Sequence, residues 1–375
     1  KVYKELYIFY SGGQMKKLNS SKKQTKQKTL SGNKLSLTRG SALMERAARK
    51  GKSNHKKNKV VKAFIDQNKK GLTRVFVAGG SRSGKDSIYE EEAFALGTQI
   101  GKKRYRLDFG LSSKGIMGAV ARGVLKGWSE TEDELASQKV IHAVTTKEYL
   151  ALYQSDQIID EVSDIIVSHT LEERKQQLLG ADFVVFAPGG VGTLDELAYD
   201  CVAMQDGFLN FKPFVLFNVQ GFFYHLLEYL KEIQKEGFAS IIPFIVVDDS
   251  FEACVAFDMI DLFYKKEIEK KPTHAKSILN RLIYLLPYII QRRFLHPSES
   301  TKLILERIDA VFSSGMTKER KQLENDIETA YLNKEIERMY ERLAKAGKDT
   351  ATVSDKLHKL KTRYRHGSRL KIHNW

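Results

Sequence analysis

Short apolar runs alternate with stretches of helical apolar spacing between residues 73 and 264, and this alternation constrains the fold more than any other feature. A run of four or five apolar residues is typical of a strand buried on both faces of a parallel sheet. The predicted strands are 75–78, 105–109, 141–144, 158–167, 183–187, 214–218 and 245–247, and the predicted helices are 88–100, 116–125, 172–179, 193–204 and 222–236. This order predicts an α/β fold, a doubly wound, Rossmann-like parallel sheet with helices on both faces.

Charge divides the 375 residues into three segments. Residues 1–72 carry a net charge of +17, residues 73–264 carry −12, and residues 265–375 carry +11. We therefore expect a basic, largely flexible N-terminal arm (1–72), the α/β domain (73–264), and a C-terminal extension (265–375) that ends in a basic tail. Apolar residues of the extension recur at helical spacing, which predicts helices packed on the domain or, alternatively, a coiled-coil dimer.

Residues 11–60 of the N-terminal arm have too few large apolar residues to offset their ordering entropy. The arm is open to two interpretations, a weak contact between the basic flanks and nucleic acid or a solubilising tail. No aromatic residue lies among the lysines of residues 11–60, which argues against base stacking. The chain has no apolar run of membrane-spanning length and no signal-peptide pattern, so we expect a cytoplasmic protein without membrane contact. Cys201 and Cys254 stand in apolar surroundings without a CxxC partner, which is typical of buried reduced thiols.

A glycine-rich loop, PGGVGT at 188–193, follows the most apolar predicted strand and precedes a predicted helix. Gly189, Gly190 and Gly192 let backbone N–H groups approach a ligand without obstruction by Cβ atoms. Thr193 is predicted to cap the helix, and a helix N-terminus favours an anion. No Lys-Ser/Thr follows the last glycine, so the loop is not of the type that binds and hydrolyses triphosphates.

Two charged side chains are predicted near this loop. Glu196 stands three residues after Thr193, which fits either a capping box or a carboxylate directed at the bound ligand. Thr170 and Glu173 also fit a capping box, so a helix begins there and places Arg174 on the rim where ligands bind in this fold. A solvated, salt-bridged Arg174 is the alternative.

PGGVGTLDE together with the upstream EERK resembles the LOG ("lonely guy") family, whose members were long described as lysine decarboxylases. Further stretches resemble the family in the family's order: GSRSG at 80–84, GIMGAVA at 115–121, and KPFVLFN at 212–218 followed by GFF at 221–223. The resemblance covers about residues 73–262.

The resemblance implies a phosphoribohydrolase that cleaves the N-glycosidic bond of a nucleoside 5′-monophosphate, either AMP or a cytokinin riboside monophosphate. By motif, Arg174 and Glu196 would be the catalytic pair. The substrate-binding residues would be Gly80, Ser81, Gly115, Met117, Gly118, Lys175, Gly189, Gly190, Val191, Gly192 and Thr193. No cofactor and no metal are implied, and a homodimer or higher homo-oligomer is expected.

The loop at 110–114 departs from the family, which has a run of glycines where this chain has Gly110-Leu111-Ser112-Ser113-Lys114. We expect these changes to narrow or reshape the pocket and Lys114 to add a charge. The stretch at 128–153 is also longer and more acidic than in the family, which bears on the choice of base. A nucleotide-binding protein of the same fold that does not cleave its ligand is the alternative function.

Overall fold

The computed structural model describes residues 72–131, 140–153, 157–239, 242–265, 275–315 and 317–345. Except for Leu72, the predicted N-terminal arm lies outside these residues, as does the basic tail. The strands are Arg74–Ala78 (β1), Arg106–Phe109 (β2), Ile141–Thr146 (β3), Asp164–Ser168 (β4), Phe183–Phe186 (β5), Phe214–Phe217 (β6) and Phe244–Val247 (β7).

The helices of the α/β part follow the strands in alternation. They are Ile88–Lys102 (α1), Gly115–Ser129 (α2), Lys147–Tyr153 (α3), Leu171–Leu179 (α4), Val191–Gln205 (α5), Tyr224–Lys235 (α6) and Ser250–Met259 (α7). Short 3-10 turns occupy Gln157–Glu161 and Val219–Gly221, and a π-helical turn, Ile260–Lys265, follows α7. The C-terminal helices are Ala275–Leu295 (α8), Thr301–Ser313 (α9) and Thr317–Lys345 (α10).

The strands form a single seven-stranded sheet in the order β4-β3-β2-β1-β5-β6-β7. Every pair of neighbours is parallel, which confirms the predicted doubly wound fold. After β4 the chain returns to place β5 beside β1, so the winding direction reverses between these two strands. The carboxyl ends of β1 and β5 therefore form the crevice in which open α/β sheets bind ligands.

Helices cover both faces of the sheet because alternate strand residues point in opposite directions. In β1, Val75 and Val77 join one apolar cluster, and Phe76 and Ala78 join the other. Helices α1 and α2 pack closely on the first face, where a Cβ atom at Gly97 would lie 2.2 Å from the carbonyl oxygen of Val120. Helices α4, α5 and α6 contribute their apolar sides to the second cluster.

The predicted helical extension is confirmed, and its helices pack against the α/β part. Leu282 and Ile289 of α8 lie in the same buried cluster as Val255 of α7. Pro287 lies inside α8 without ending it. None of the helices within the described ranges is both long and apolar enough to cross a lipid bilayer.

One predicted strand differs from the structure, and two helices of the α/β part, α3 and α7, were not predicted. The strand predicted at 158–167 is wrong in its first half, because Gln157–Glu161 forms a 3-10 turn and only Asp164–Ser168 pairs with β3. Polar residues at 160–164 interrupt that apolar run, which allows the chain to turn before it enters the sheet. Helix α3 was not predicted, since its seven residues are too few for a helical period to stand out.

Candidate active site

The glycine loop lies in the crevice between β1 and β5. The Gly80 N–H donates a hydrogen bond to the carbonyl oxygen of Pro188 at 3.0 Å, which joins the loops that follow the two strands. A Cβ atom at Gly189 would lie 2.1 Å from Oγ1 of Thr193 and 2.9 Å from the nitrogen of Gly80, so only glycine fits there. By contrast, a Cβ atom at Gly190 or Gly192 would meet nothing within 4 Å. Protein atoms therefore close one side of this loop and leave the other side open.

Helix α5 begins at Val191, with Gly190 as the N-cap residue. The predicted cap at Thr193 is therefore wrong, and so is its capping box with Glu196. Thr193 lies inside the first turn with its side chain packed over Gly189, and the extended backbone of Gly190 enters the helix without a side-chain cap. The first intrahelical bond runs from the Leu194 N–H to the Gly190 oxygen, at 3.1 Å. Because the N–H groups before Leu194 have no acceptor within the helix, they can bind an anion.

Arg174 is held in place by the start of α4. Thr170 Oγ1 accepts a hydrogen bond from the Glu173 N–H at 3.0 Å, which confirms the predicted cap. The Glu173 carboxylate in turn accepts from the His169 N–H at 2.9 Å, one residue before the N-cap position. The helix thus begins at the carboxyl rim of β4 and directs its fourth residue, Arg174, across the carboxyl ends of the neighbouring strands.

The Arg174 guanidinium has three partners. Its Nε donates to the carbonyl oxygen of Val144 at 3.0 Å, and its Nη1 lies 3.4 Å from Glu196 Oε1. The guanidinium carbon also lies 5.5 Å from the centre of the Tyr149 ring, within the range of a cation–π contact. The side chain is only 13% exposed, so Arg174 is not the solvated surface residue of the alternative interpretation.

Glu196 faces Arg174 from the second turn of α5, and 14% of its side chain is exposed. Burial raises the pKa of the Glu196 carboxyl above its ordinary value, while the charge of Arg174 acts in the opposite direction. The site therefore contains a shielded carboxylate beside a fixed cation, a pairing common among groups that act on a reacting ligand.

The loop after β2 lies against the same guanidinium. A Cβ atom at Gly110 would lie 2.4 Å from Arg174 Nη2, so this glycine makes room for the arginine. Leu111 is fully buried and has a φ of 66°, a left-handed conformation that glycine adopts more readily. Leu111 therefore holds a backbone conformation that favours glycine, and Lys114 lies exposed at the end of the loop.

The other predicted binding residues fall into three groups. Gly80, Ser81, Gly115 and Met117 meet at the crevice: the Met117 N–H donates to the Gly80 oxygen at 3.2 Å, and a Cβ atom at Gly115 would lie 2.5 Å from the carbonyl carbon of Ser81. Gly118 packs against the backbone of the loop after β2, since its Cβ atom would lie 1.9 Å from the Ser113 oxygen.

Lys175 forms the third group. Its ammonium binds the Asp195 carboxylate at 3.0 Å and lies 4.7 Å from the centre of the Tyr199 ring. It therefore ties α4 to α5 and is not directed at the glycine loop.

Sequence reasoning missed the parts of the site that lie far from the motifs. Tyr149 comes from the unpredicted helix α3, and the oxygen that anchors Arg174 belongs to Val144 in β3. Gly110 could have been found, because it is a glycine directly after the predicted strand 105–109, where ligands bind in this fold. No group of three His, Cys, Asp or Glu side chains in the described part of the chain could hold a metal ion.

Comparisons with known proteins agree with the motif resemblance. A sequence profile described as "Possible lysine decarboxylase" matches residues 117–254. The cytokinin riboside 5′-monophosphate phosphoribohydrolase LOG7 of Arabidopsis thaliana is 30% identical over 176 residues, which cover 47% of this chain and 75% of the relative. LOG2 of the same plant is 27% identical over 177 residues, which cover 47% of this chain and 76% of the relative.

Among solved structures, the molybdenum cofactor carrier protein of Chlamydomonas reinhardtii is 18% identical, with a TM-score of 0.38. The alignment covers 51% of this chain and 99% of that chain. This similarity is too low to support a conclusion.

Proposed function

The chain belongs to the LOG family of phosphoribohydrolases, and on that premise we propose that it hydrolyses the N-glycosidic bond of a nucleoside 5′-monophosphate. The products would be the free base and ribose 5-phosphate. The proposed substrates are AMP and riboside monophosphates that carry an N6-modified adenine.

One observation supports the proposal: Glu196, which contacts Arg174, lies on α5, the helix that begins at the glycine loop. The glycine loop alone would bind many phosphate-containing ligands. A shielded carboxylate beside it adds the group that hydrolysis of a glycosidic bond requires, because that reaction passes through a positively charged, oxocarbenium-like ribose.

We assign the steps as follows. The N–H groups at the start of α5 bind the 5′-phosphate, and Gly190 and Gly192 allow its close approach. Arg174 fixes the position of Glu196 and contacts ribose or phosphate oxygens. As the bond between C1′ and the base breaks, the Glu196 carboxylate stabilises the positive charge on the ribose and orients a water molecule. That water forms the new bond to C1′, and its proton ends on the departing base.

We propose a homodimer or larger oligomer for the working protein. Helix α5 presents an exposed apolar stripe beside the glycine loop, in which Val191 is 85%, Leu194 is 48% and Val202 is 56% exposed. A second copy of the chain would cover this stripe. A monomeric mass in light scattering at micromolar concentration would contradict this part of the proposal.

The test is incubation of the full chain with AMP, isopentenyl-AMP and adenosine, with free base and ribose 5-phosphate measured by chromatography. The proposal predicts base release from one or both monophosphates and none from adenosine, which lacks the phosphate. Tight binding of AMP without any base release would instead support the alternative, a nucleotide-binding protein that does not cleave. Equal release from adenosine would refute the role assigned to the glycine loop.

A further inference from the structure

Helix α10 of the C-terminal extension reaches the carboxyl rim of the sheet through Arg338. The Arg338 Nε donates to the Asp248 carboxylate at 2.9 Å, and Nη2 donates to the carbonyl oxygen of Val246 at 2.8 Å. Lys334, one turn earlier, lies 3.0 Å from Asp248 and also pairs with Glu252. The Arg338 and Asp248 side chains are 15% and 13% exposed, so the pair is largely shielded from screening by solvent.

Asn218 continues this connection to the loop after β6. Its Nδ2 donates to the second carboxylate oxygen of Asp248 at 3.2 Å, and its Oδ1 accepts from the Phe223 N–H at 2.9 Å. Asn218 is only 4% exposed, so its amide depends on these partners. The C-terminal helix is thereby linked through Asp248 and Asn218 to the backbone of the loop after β6.

That loop is strained. Gln220 has a φ of 49° and a ψ of 32°, and Gly221 follows with a φ of 68°. A left-handed, non-glycine residue persists only where its surroundings hold it, and Gln220 lies in the turn Val219–Gly221, against which α10 packs. Helix α10 is therefore one of the elements that hold the loop in this conformation.

Aromatic contacts link the loop after β6 to the loop after β1. Phe222 lies edge-to-face with Tyr89 in the first turn of α1, with ring centres 5.8 Å apart. The Tyr89 ring in turn packs against Gly84, whose Cβ atom would lie 3.1 Å from Tyr89 Cδ2. Gly84 belongs to the loop after β1, the loop that Gly80 joins to Pro188.

We infer that Arg338 is a positioning residue for the active site. By holding Asp248, and through it Asn218 and the strained turn, it fixes the loops after β1 and β6 beside the crevice between β1 and β5. The C-terminal extension is thus part of the working site of this chain. The expected effect of Arg338 on KM rests on the proposed hydrolase function, whereas its role in holding the loops after β1 and β6 does not.

A second arginine shows that attachment of the extension does not depend on Arg338 alone. Arg293 of α8 binds Asp258 of α7 at 3.3 Å and Thr301 of α9 at 2.8 Å. Asp258 lies near the end of α7, whereas Asp248 lies just before its start, so the two ion pairs lie at opposite ends of this helix. Arg293 therefore provides a matched control for the loss of a shielded arginine that holds the extension.

The experiment compares Arg338→Met, Arg338→Lys and Arg293→Met in the full chain, with two readouts. The first is amide hydrogen exchange in peptides that cover 83–89 and 219–223. We expect exchange there to accelerate about tenfold in Arg338→Met, as local opening becomes easier, with partial recovery in Arg338→Lys and no acceleration in Arg293→Met. The second readout is steady-state kinetics with AMP, in which Arg338→Met should raise KM about tenfold with a smaller change in kcat.

The two readouts distinguish failure of the positioning role of Arg338 from failure of the proposed hydrolase function. If Arg338→Met and Arg293→Met give the same exchange in both peptides, the inference is overturned, whatever the activity. If the unsubstituted protein releases no base, the hydrolase proposal fails, and the exchange comparison still decides whether Arg338 holds the loops. If exchange accelerates in Arg338→Met but KM and kcat stay those of the unsubstituted protein, Arg338 holds the loops but the loops do not position the substrate. That result refutes the role of Arg338 in substrate positioning.

Discussion

Gly110→Ala tests whether the close approach of the loop after β2 to Arg174 matters for catalysis. The added methyl carbon would lie 2.4 Å from Arg174 Nη2, whereas ordinary van der Waals contact begins near 3.4 Å. The φ of Gly110 is not positive, so the substitution does not force alanine into the left-handed region. The guanidinium must therefore move by about 1 Å, away from its contacts with Val144 and Glu196.

The size of the effect follows from that displacement. Misplacement of a catalytic group by about 1 Å can cost on the order of 100-fold in rate, or about 2.7 kcal/mol of transition-state stabilisation. We expect kcat/KM for the monophosphate to fall by about that factor. The free energy of unfolding should change by less than about 1 kcal/mol, because the lower chain entropy that alanine gives the unfolded state offsets part of the lost contacts.

The assay is a double-mutant cycle on kcat/KM with Gly110→Ala, Arg174→Ala and the combined variant. If the methyl group acts by displacing Arg174, Gly110→Ala has no further effect once the arginine is gone, and the coupling equals the whole single-variant effect. Additive losses in the cycle would refute this reasoning. So would a Gly110→Ala variant with unchanged kcat/KM and unchanged thermal stability.

Three further predictions concern a buried acid, the glycine loop and the charged arm. Asp200 is fully buried, neither of its carboxylate oxygens has a hydrogen-bond partner among the described residues, and burial raises its pKa to about 6. Because the folded state then binds the proton more tightly than the unfolded state, the contribution of protonated Asp200 to stability is full below about pH 4 and is lost as pH rises through about 6. In urea unfolding, Asp200→Asn should therefore be more stable than the unsubstituted protein by about 3 kcal/mol at pH 8 and equal to it at pH 4. Equal stability at both pH values would contradict this. Gly192→Ala should keep the melting temperature but weaken AMP binding in calorimetry, since its methyl group meets no protein atom and can obstruct only a ligand; unchanged affinity would place the phosphate elsewhere. Finally, if residues 1–72, with a net charge of +17, contact nucleic acid, the affinity should fall steeply between low and physiological salt, and deletion of 1–60 should abolish the binding.

The central strand, the glycine loop and the helix after it could be predicted from sequence, because an apolar run, several glycines and a helical period occur in immediate succession at 183–204. Arg174 could be placed on the same rim because helices of this fold begin at the carboxyl ends of strands. The start of α5 was misplaced by two residues, since Gly190 enters the helix with no side-chain cap to mark it.

The remaining features depend on contacts between residues far apart in the chain. Gly110, Tyr149 and Arg174 come from three separate connections of the sheet and meet only in the folded domain. The link from Arg338 to Asp248 and Asn218 likewise joins the C-terminal helix to two distant loops. Local periodicity indicates which face of a helix is apolar but carries no signal for such contacts.

The role of Glu196 is tested most directly by measuring kcat/KM for AMP and, in parallel, the affinity for AMP in Glu196→Gln. This substitution keeps the size of the side chain and removes the charge that faces Arg174 at 3.4 Å. We expect kcat/KM to fall at least about 100-fold with little change in affinity, because the carboxylate acts on the charge that develops in the transition state while the glycine loop binds the phosphate. A Glu196→Gln variant that releases adenine at the rate of the unsubstituted protein would contradict a catalytic role for the Glu196 carboxylate.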